Sequence, residues 1–435
     1  MMLFLLKDYM TSKLQKFFKR YSIDELHYIM AAFYASTIIF NEFSKFFLWF
    51  YGIVFFMFYS KIQTYKSKVI WIFFIPLALH ILFFWNNESY ILAIKQLEKF
   101  TVFLVFPLIF IFQNNAIKIK KILGYYSSIF STIIFLCFVY YVYANFTDFK
   151  GYISGKNAWE MGYAFSNFLG THAPRFNLHV SFLCFVNLYL VIKTVLSNNS
   201  NSFLFFRLFC LASSLFVMLN INTRLAIAVF AVGAISHIAY TFFVKGLAVK
   251  KIFFISAGLV IMSITFMLIF PYTLKKFQKK TFNQLDMIGK LDQIEQPEEK
   301  IFGSLVTRLT AWSVVLNMSA KKPITGYGYT NCYPLLRQEY RDSNQLFLSK
   351  YNYRVHNQFL DFLLKFGVLG SILLILFFAN KFYVALKIRS AVFLYFCMLF
   401  LAVNLVEDLF RTYDGIAFGA FWISVFIKSY LEKRN

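Results

Sequence analysis

Three side chains in this sequence combine charge or basicity with surroundings that could turn them to chemistry: Arg224, Arg308 and His356. Arg224 ends the polar run Asn220-Ile221-Asn222-Thr223-Arg224 and opens an apolar run, Leu225 to Phe243. An arginine so placed either snorkels to a membrane interface at little cost, or presents a fixed cation at the hydrocarbon edge, suited to a lipid-linked phosphate. Arg308 lies one turn before Trp312, where Leu305, Leu309, Trp312 and Leu316 recur at helical spacing. It belongs either to a solvated helix face or beside Arg224, where two guanidinium forks would neutralise a pyrophosphate leaving group. His356 closes a long polar stretch and immediately precedes another apolar run. It is either a helix-start residue at an interface or a base able to take the proton of a sugar hydroxyl near neutral pH. His172, in the group His172-Ala173-Pro174-Arg175, is a further imidazole on the same side of the predicted topology.

The elements that must position these groups are apolar helices. Hydrophobic residues make up 59% of the 435-residue chain, which has 60 phenylalanines and a mean hydropathy of +0.60. That exceeds the mixture usual in soluble domains. About twelve runs come near the length that crosses roughly 30 Å of hydrocarbon. They fall at 25–40, 46–60, 69–85, 100–113, 123–144, 176–195, 203–220, 224–243, 252–271, 357–379, 390–406 and 411–430. The fold class is therefore an all-α polytopic membrane protein, with residues 1–435 forming a single integral membrane domain.

Loop charge orients the spans. Lysines and arginines collect before the first run and in alternate short connections: Lys61, Lys66 and Lys68; Lys118, Lys120 and Lys121; Lys193; Lys245, Lys250 and Lys251; Lys381, Lys387 and Arg389. The intervening connections carry Asn41-Glu42, Asn86-Asn87-Glu88, Asn220 to Asn222 and Glu407-Asp408. The positive-inside rule then puts both termini in the cytoplasm and the large loop 272–356, between the ninth and tenth spans, outside. Residues 1–24 read as a cytoplasmic amphipathic segment, because Lys13, Lys16, Lys19 and Arg20 interleave with Leu14, Phe17 and Phe18. Apolar residues precede that basic cluster, the wrong order for a cleaved signal peptide. Inside the large loop, Lys275, Lys276, Lys279 and Lys280 follow the ninth span, and Ser304 is the expected N-cap of an amphipathic helix that Lys322-Pro323 ends. Gly326 and Gly328 then allow a tight return.

Several function classes fall away. The net charge of +24 lies mostly in short loops between apolar runs, so topology explains it and a nucleic-acid partner is not called for. The five cysteines, Cys137, Cys184, Cys210, Cys332 and Cys397, show neither a paired framework nor metal-ligand spacing. No DxD site, phosphate-cradling glycine loop or GxSxG elbow is present in a suitable setting, and no metal is expected. Asp286, Asp292 and Glu295 read as solvated surface.

Arg308, Trp312, Pro323, Gly326 and Gly328, followed by His356-Asn357, Leu360, Gly367 and Gly370, resemble the signature of the O-antigen ligase and O-antigen polymerase superfamily. The likeness covers roughly residues 220–430. It implies a C-type glycosyltransferase of the bacterial inner membrane, independent of metal and of any cofactor, with a large periplasmic loop. The donor it implies is an undecaprenyl-pyrophosphate-linked glycan, and the acceptor for the ligases is lipid A–core. Repeat-unit polymerases of the same superfamily are the alternative. By this resemblance the catalytic residues are Arg224, Arg308 and His356, the two arginines also holding the pyrophosphate. Trp312, Asn357, His172 and Arg175 are supporting candidates, and a late acidic-plus-basic element resembles Glu407-Asp408 with Arg411. Thr223 stands where a serine is frequent. A rival from another class is a transporter or flippase, which predicts symmetric halves with broken helices and ionisable residues along a path. The few charges in the first-half spans and the single asymmetric loop weigh against it.

Overall fold

A computed structural model describes residues 23–58, 63, 65, 67–156, 160–197, 201–245, 248–270, 284–301 and 305–434. Residues 1–22 of the amphipathic segment expected over 1–24, the lysines Lys275 to Lys280 and the Ser304 cap lie outside the described residues. Among those described, every regular element is helical and there is no strand. That is what a lipid solvent demands, because a helix satisfies its own backbone polar groups.

Helices occupy all the runs picked out by hydropathy, but unequally. Among the described residues six are long and apolar enough to cross a membrane: Ile119–Ala144, Ala173–Leu196, Ser202–Ile221, Arg224–Val244, Val249–Ile269 and Gln358–Ile388. Elsewhere the expected spans are shorter or broken. Run 69–85 divides into Lys68–Phe73 and Ile75–Leu82, with Pro76 in the first turn of the second piece. Run 100–113 becomes Val102–Phe106 followed by a π turn, Pro107–Ile111. Proline supplies no N–H to the preceding turn, so both interruptions have a local cause. Tyr413–Glu432 is long enough but carries Asp414 and Lys428, both buried inside the bundle.

Ala173–Leu196 runs through the middle of the bundle, packed on Ile119–Ala144, Asn201–Ile221, Arg224–Lys245 and Ala391–Asn404. Val249–Ile269 lies at the rim. Only 6% of its span is buried, and Phe253, Phe254 and Leu268 point outward. Such a surface suits lipid tails rather than water.

The long segment before Gln358 folds around a core of its own. Leu291, Ile301, Val306, Val314, Met318, Tyr340, Leu348 and Val355 pack together and close against Leu364 of the Gln358–Ile388 helix. The amphipathic helix expected there spans Leu305–Lys321. Its buried face is not the Leu305-Leu309-Trp312-Leu316 stripe, for Leu316 is 51% exposed. Val306, Thr310, Val314 and Met318 face inward instead, their smaller side chains fitting against the segment's own helices.

Three glycines lock this segment to the membrane body. Gly326, Gly328 and Gly367 have φ of +60°, +75° and +67°, a region that side chains with a Cβ disfavour. At Gly367 the long helix breaks, and the return Pro323–Gly328 fills the break. Tyr327 N–H donates to Leu364 O at 2.8 Å, and Val368 N–H donates to Pro323 O at 2.7 Å. Asn86 Nδ2 donates to Thr325 O at 3.0 Å, and Thr330 N–H donates to Asn87 Oδ1 at 3.0 Å. The connection Asn86-Asn87-Glu88 therefore meets the long segment on one face of the bundle. A Cβ on Gly328 would lie 1.8 Å from Asn86 O. Gly328→Ala is expected to destabilise the purified protein by at least about 1–3 kcal/mol from backbone strain alone. Gly258→Ala, whose added carbon meets nothing within 4 Å, is expected to leave the thermal midpoint in detergent unchanged or slightly raised.

Candidate active site

The chain turns sharply after the Ala391–Asn404 helix, and Glu407 N–H donates back to Val403 O at 2.8 Å. The turn points the Glu407 side chain inward, where only 7% of it is exposed. Its Oε1 accepts from Arg308 Nη2 at 3.3 Å, and its Oε2 lies 3.2 Å from His356 Nδ1. One carboxylate thus joins the loop-helix arginine to the histidine. An ionised carboxylate only accepts, so Nδ1 must carry the imidazole proton and donate it. Nε2 has no hydrogen-bond partner among the described residues, and in the neutral tautomer it is the nitrogen that carries the lone pair.

His356 is held there against a backbone cost. Its φ is +47°, a left-handed conformation worth about 1–3 kcal/mol of strain for a residue with a Cβ. Three neighbours oppose that strain. Trp312 Nε1 donates to Val355 O at 2.7 Å, fixing the peptide just before the histidine. The Tyr353 ring meets the imidazole edge-on at 5.1 Å. Asn357 caps the following helix, its Oδ1 accepting from Phe359 N–H and Leu360 N–H. The same side chain donates from Nδ2 to Leu405 O at 3.1 Å, tying the histidine's element to the turn that carries Glu407.

Arg308 Nε is buried and without a hydrogen-bond partner among the described residues. A buried guanidinium donor left open costs free energy unless a ligand oxygen meets it. Arg224 opens the Arg224–Lys245 helix, and its charge acts on Tyr163 together with those of Arg308 and Glu407. The hairpin before it is anchored by Asn177 Nδ2, which donates to Thr223 Oγ1 at 2.6 Å. The charge of His172 reaches Glu407 as well. Arg175 turns elsewhere, into an ion pair with Asp414 at 2.9 Å.

Beside this cluster lies a buried network in which Asp408 and Arg411, singled out in the sequence, meet Gln358, Asp361, Lys365 and Tyr333, which were not. Lys365 Nζ is 2.6 Å from Asp361 Oδ2, both almost fully buried. Gln358 Nε2 donates to the same oxygen at 2.9 Å, while its Oε1 accepts from Phe410 N–H. Tyr333 Oη is 2.7 Å from Asp361 Oδ1 and 3.3 Å from Asp408 Oδ2. Arg411 stacks 4.9 Å above the Tyr333 ring, with its Nη1 3.8 Å from Asp408. The signal was the spacing of Gln358, Asp361 and Lys365 along one helix face inside an apolar run.

His356, Glu407 and Asp408 offer ligand atoms within 4.8 Å of one another, a set that could hold a cation. No sequence spacing shows it, because two distant segments contribute. Each carboxylate already has a guanidinium beside it, Arg308 at 3.3 Å and Arg411 at 3.8 Å. Those guanidinium groups would compete electrostatically with a cation bound there.

Burial, the largest single influence on Glu407, pushes its carboxyl upward. The His356 hydrogen bond and charge, with Arg308 and His172, outweigh it and hold the group below the ordinary carboxylate range. The sign follows from a folded value lower than the unfolded one. The stabilisation is complete above the usual carboxylate value of about 4.3 and is lost as pH falls through the folded value. The wild-type thermal midpoint is expected to drop as pH falls from about 5 towards 3. Glu407→Gln should start lower at pH 7 and show a shallower decline in that window, read by differential scanning fluorimetry.

Residues 208–375 match the family model described as O-Antigen ligase. The matched stretch contains Arg224, Arg308, Trp312, His356 and Asn357 and stops before Glu407. No curated protein matches the chain. Through residues 208–375, which hold Arg224, Arg308 and His356, the chain is similar to the O-antigen ligase family.

Proposed function

We propose that this protein is an O-antigen ligase-type glycosyltransferase, moving a glycan from undecaprenyl pyrophosphate to lipid A–core at the periplasmic face of the bacterial inner membrane. The observation that carries the reading is the single Glu407 carboxylate bonded to both His356 and Arg308. It fixes a base and a phosphate-binding cation at one place. In the proposed reaction the acceptor hydroxyl approaches His356 Nε2, which takes its proton as the oxygen attacks the anomeric carbon. The bond from that carbon to the pyrophosphate oxygen breaks on the opposite side, so the configuration inverts. Glu407 stabilises the imidazolium that forms. Arg308, through its open Nε, and Arg224 neutralise the departing pyrophosphate, whose charge grows as the bond breaks. Two guanidinium groups fill the role that a divalent ion plays in other transferases, which makes the reaction metal-independent. Both termini lie in the cytoplasm in this orientation.

Alanine at Arg224, Arg308 or His356 is expected to lower transfer by about 10²–10⁴-fold. Lipopolysaccharide ligation in a strain lacking its own ligase reads this out, and full activity in all three variants would overturn the assignment. The acceptor is tested separately by the lipid profile of a deletion strain. Undecaprenyl-linked polymer without transfer to lipid A–core is expected; accumulation of single repeat units would make the protein a polymerase with the same chemistry. Transfer by the purified protein is expected to survive EDTA. Loss of transfer that added divalent cation restores would instead make His356, Glu407 and Asp408 a metal centre.

A further inference from the structure

A cavity of about 540 Å³ opens beside the candidate active site, lined by Tyr333, Arg337, Arg341, Tyr351, Arg354 and Arg411 among others. Its volume falls in the range of about 300–1,000 Å³ common for small-ligand sites. Tyr333, Arg337 and Arg341 stand four residues apart along the Gly328–Asp342 helix and so form one face. Like charges at that spacing repel in a bare helix. Among the described residues no carboxylate pairs with Arg337, Arg341 or Arg354; the nearby Glu339 is taken by Lys321 and Asp342 accepts from Gln338. Arg354 also feels the charges of Arg411 and Arg175, with Asp408 as a counter-charge. Arg411 Nη1 is buried and, 3.8 Å from Asp408 Oδ2, has no hydrogen-bond partner among the described residues. Four guanidinium groups thus surround one cavity, an arrangement that favours an oxyanion there.

We infer that this cavity is a subsite for a sugar bearing an oxyanion, a carboxylate or a phosphate, on the glycan that passes through the neighbouring site. The cavity is larger than a lone anion requires, and Tyr351 offers a partly exposed aromatic face for a sugar ring. Glu298 accepts from the Tyr351 hydroxyl at 2.7 Å, which holds that ring in place. Tyr353 lines the cavity and its ring also meets the His356 imidazole, so that ring stands between a sugar bound here and the proposed base. The inference rests on the glycosyl-transfer reading for its choice of a sugar. The binding site itself stands or falls separately.

The test is direct binding to the purified full-length protein in detergent, followed by saturation-transfer NMR. The probes are glucuronate, glucose 1-phosphate, methyl glucoside and inorganic phosphate. Both anionic sugars are expected to bind, each more tightly than methyl glucoside and than inorganic phosphate. The double variant R337Q/R341Q is expected to weaken both by about tenfold or more, since it removes charge-assisted hydrogen bonds from exposed positions. His356→Ala should bind as the wild type does while transferring nothing. Anionic-sugar binding alongside full ligation by the Arg224, Arg308 and His356 alanine variants would strike the transfer reading and leave the cavity standing. Glucuronate preference over glucose 1-phosphate identifies a uronate, and the reverse a sugar phosphate. Equal binding of neutral and anionic sugars, equal affinity for inorganic and sugar phosphate, or full binding in R337Q/R341Q would overturn the inference.

Discussion

Taking an ionised carboxylate out of water costs several kcal/mol unless cations and donors surround it. Glu407 is buried and meets that condition with His356 on one oxygen and Arg308 on the other. The arrangement constrains three separate parts of the chain. The turn after Ala391–Asn404 must aim the acid, the Leu305–Lys321 helix must bring the arginine, and the start of Gln358–Ile388 must bring the histidine. Removing any one of them leaves a buried charge or a strained histidine without its counterpart. The Trp312 indole and the Asn357 amide make sense in the same terms, since each fixes backbone on one side of that triangle.

The glycine lock gives this triangle its rigidity. A helix break inside a bundle exposes backbone groups that lipid cannot satisfy. Here the break at Gly367 is answered by Tyr327 N–H and Pro323 O from the long segment. Closing the break and docking the segment are therefore one event. The helix that His356 precedes and the helix that carries Arg308 are joined through it, although the sequence places them far apart.

Much of the helical framework was legible because lipid leaves a chain few options, and long apolar runs show plainly in the sequence. Arg224 and His356 stood out because charged or basic residues at the ends of such runs are expensive and few, and Arg308 because it sits one turn before Trp312 on an amphipathic helix. The buried face of Leu305–Lys321 was misread, since large residues drew attention while Val306, Thr310 and Val314 did the packing. Glu407 was harder to rank: nothing in its local sequence says that it meets a residue as distant as His356, and only the fold brings the two together. The Gln358-Asp361-Lys365 face was visible in the sequence as ionisable residues inside an apolar run, yet its partner Tyr333 comes from a helix whose position depends on the glycine lock.

The central claim is that Glu407 and His356 act as one unit. A double-mutant cycle on transfer from a lipid-linked donor in proteoliposomes tests it most directly, comparing Glu407→Gln, His356→Ala and the pair. If Glu407 works only through the imidazole, adding Glu407→Gln to His356→Ala should slow transfer no further. Losses that multiply, so that the double variant is slower than His356→Ala by the full factor of Glu407→Gln alone, would contradict the account.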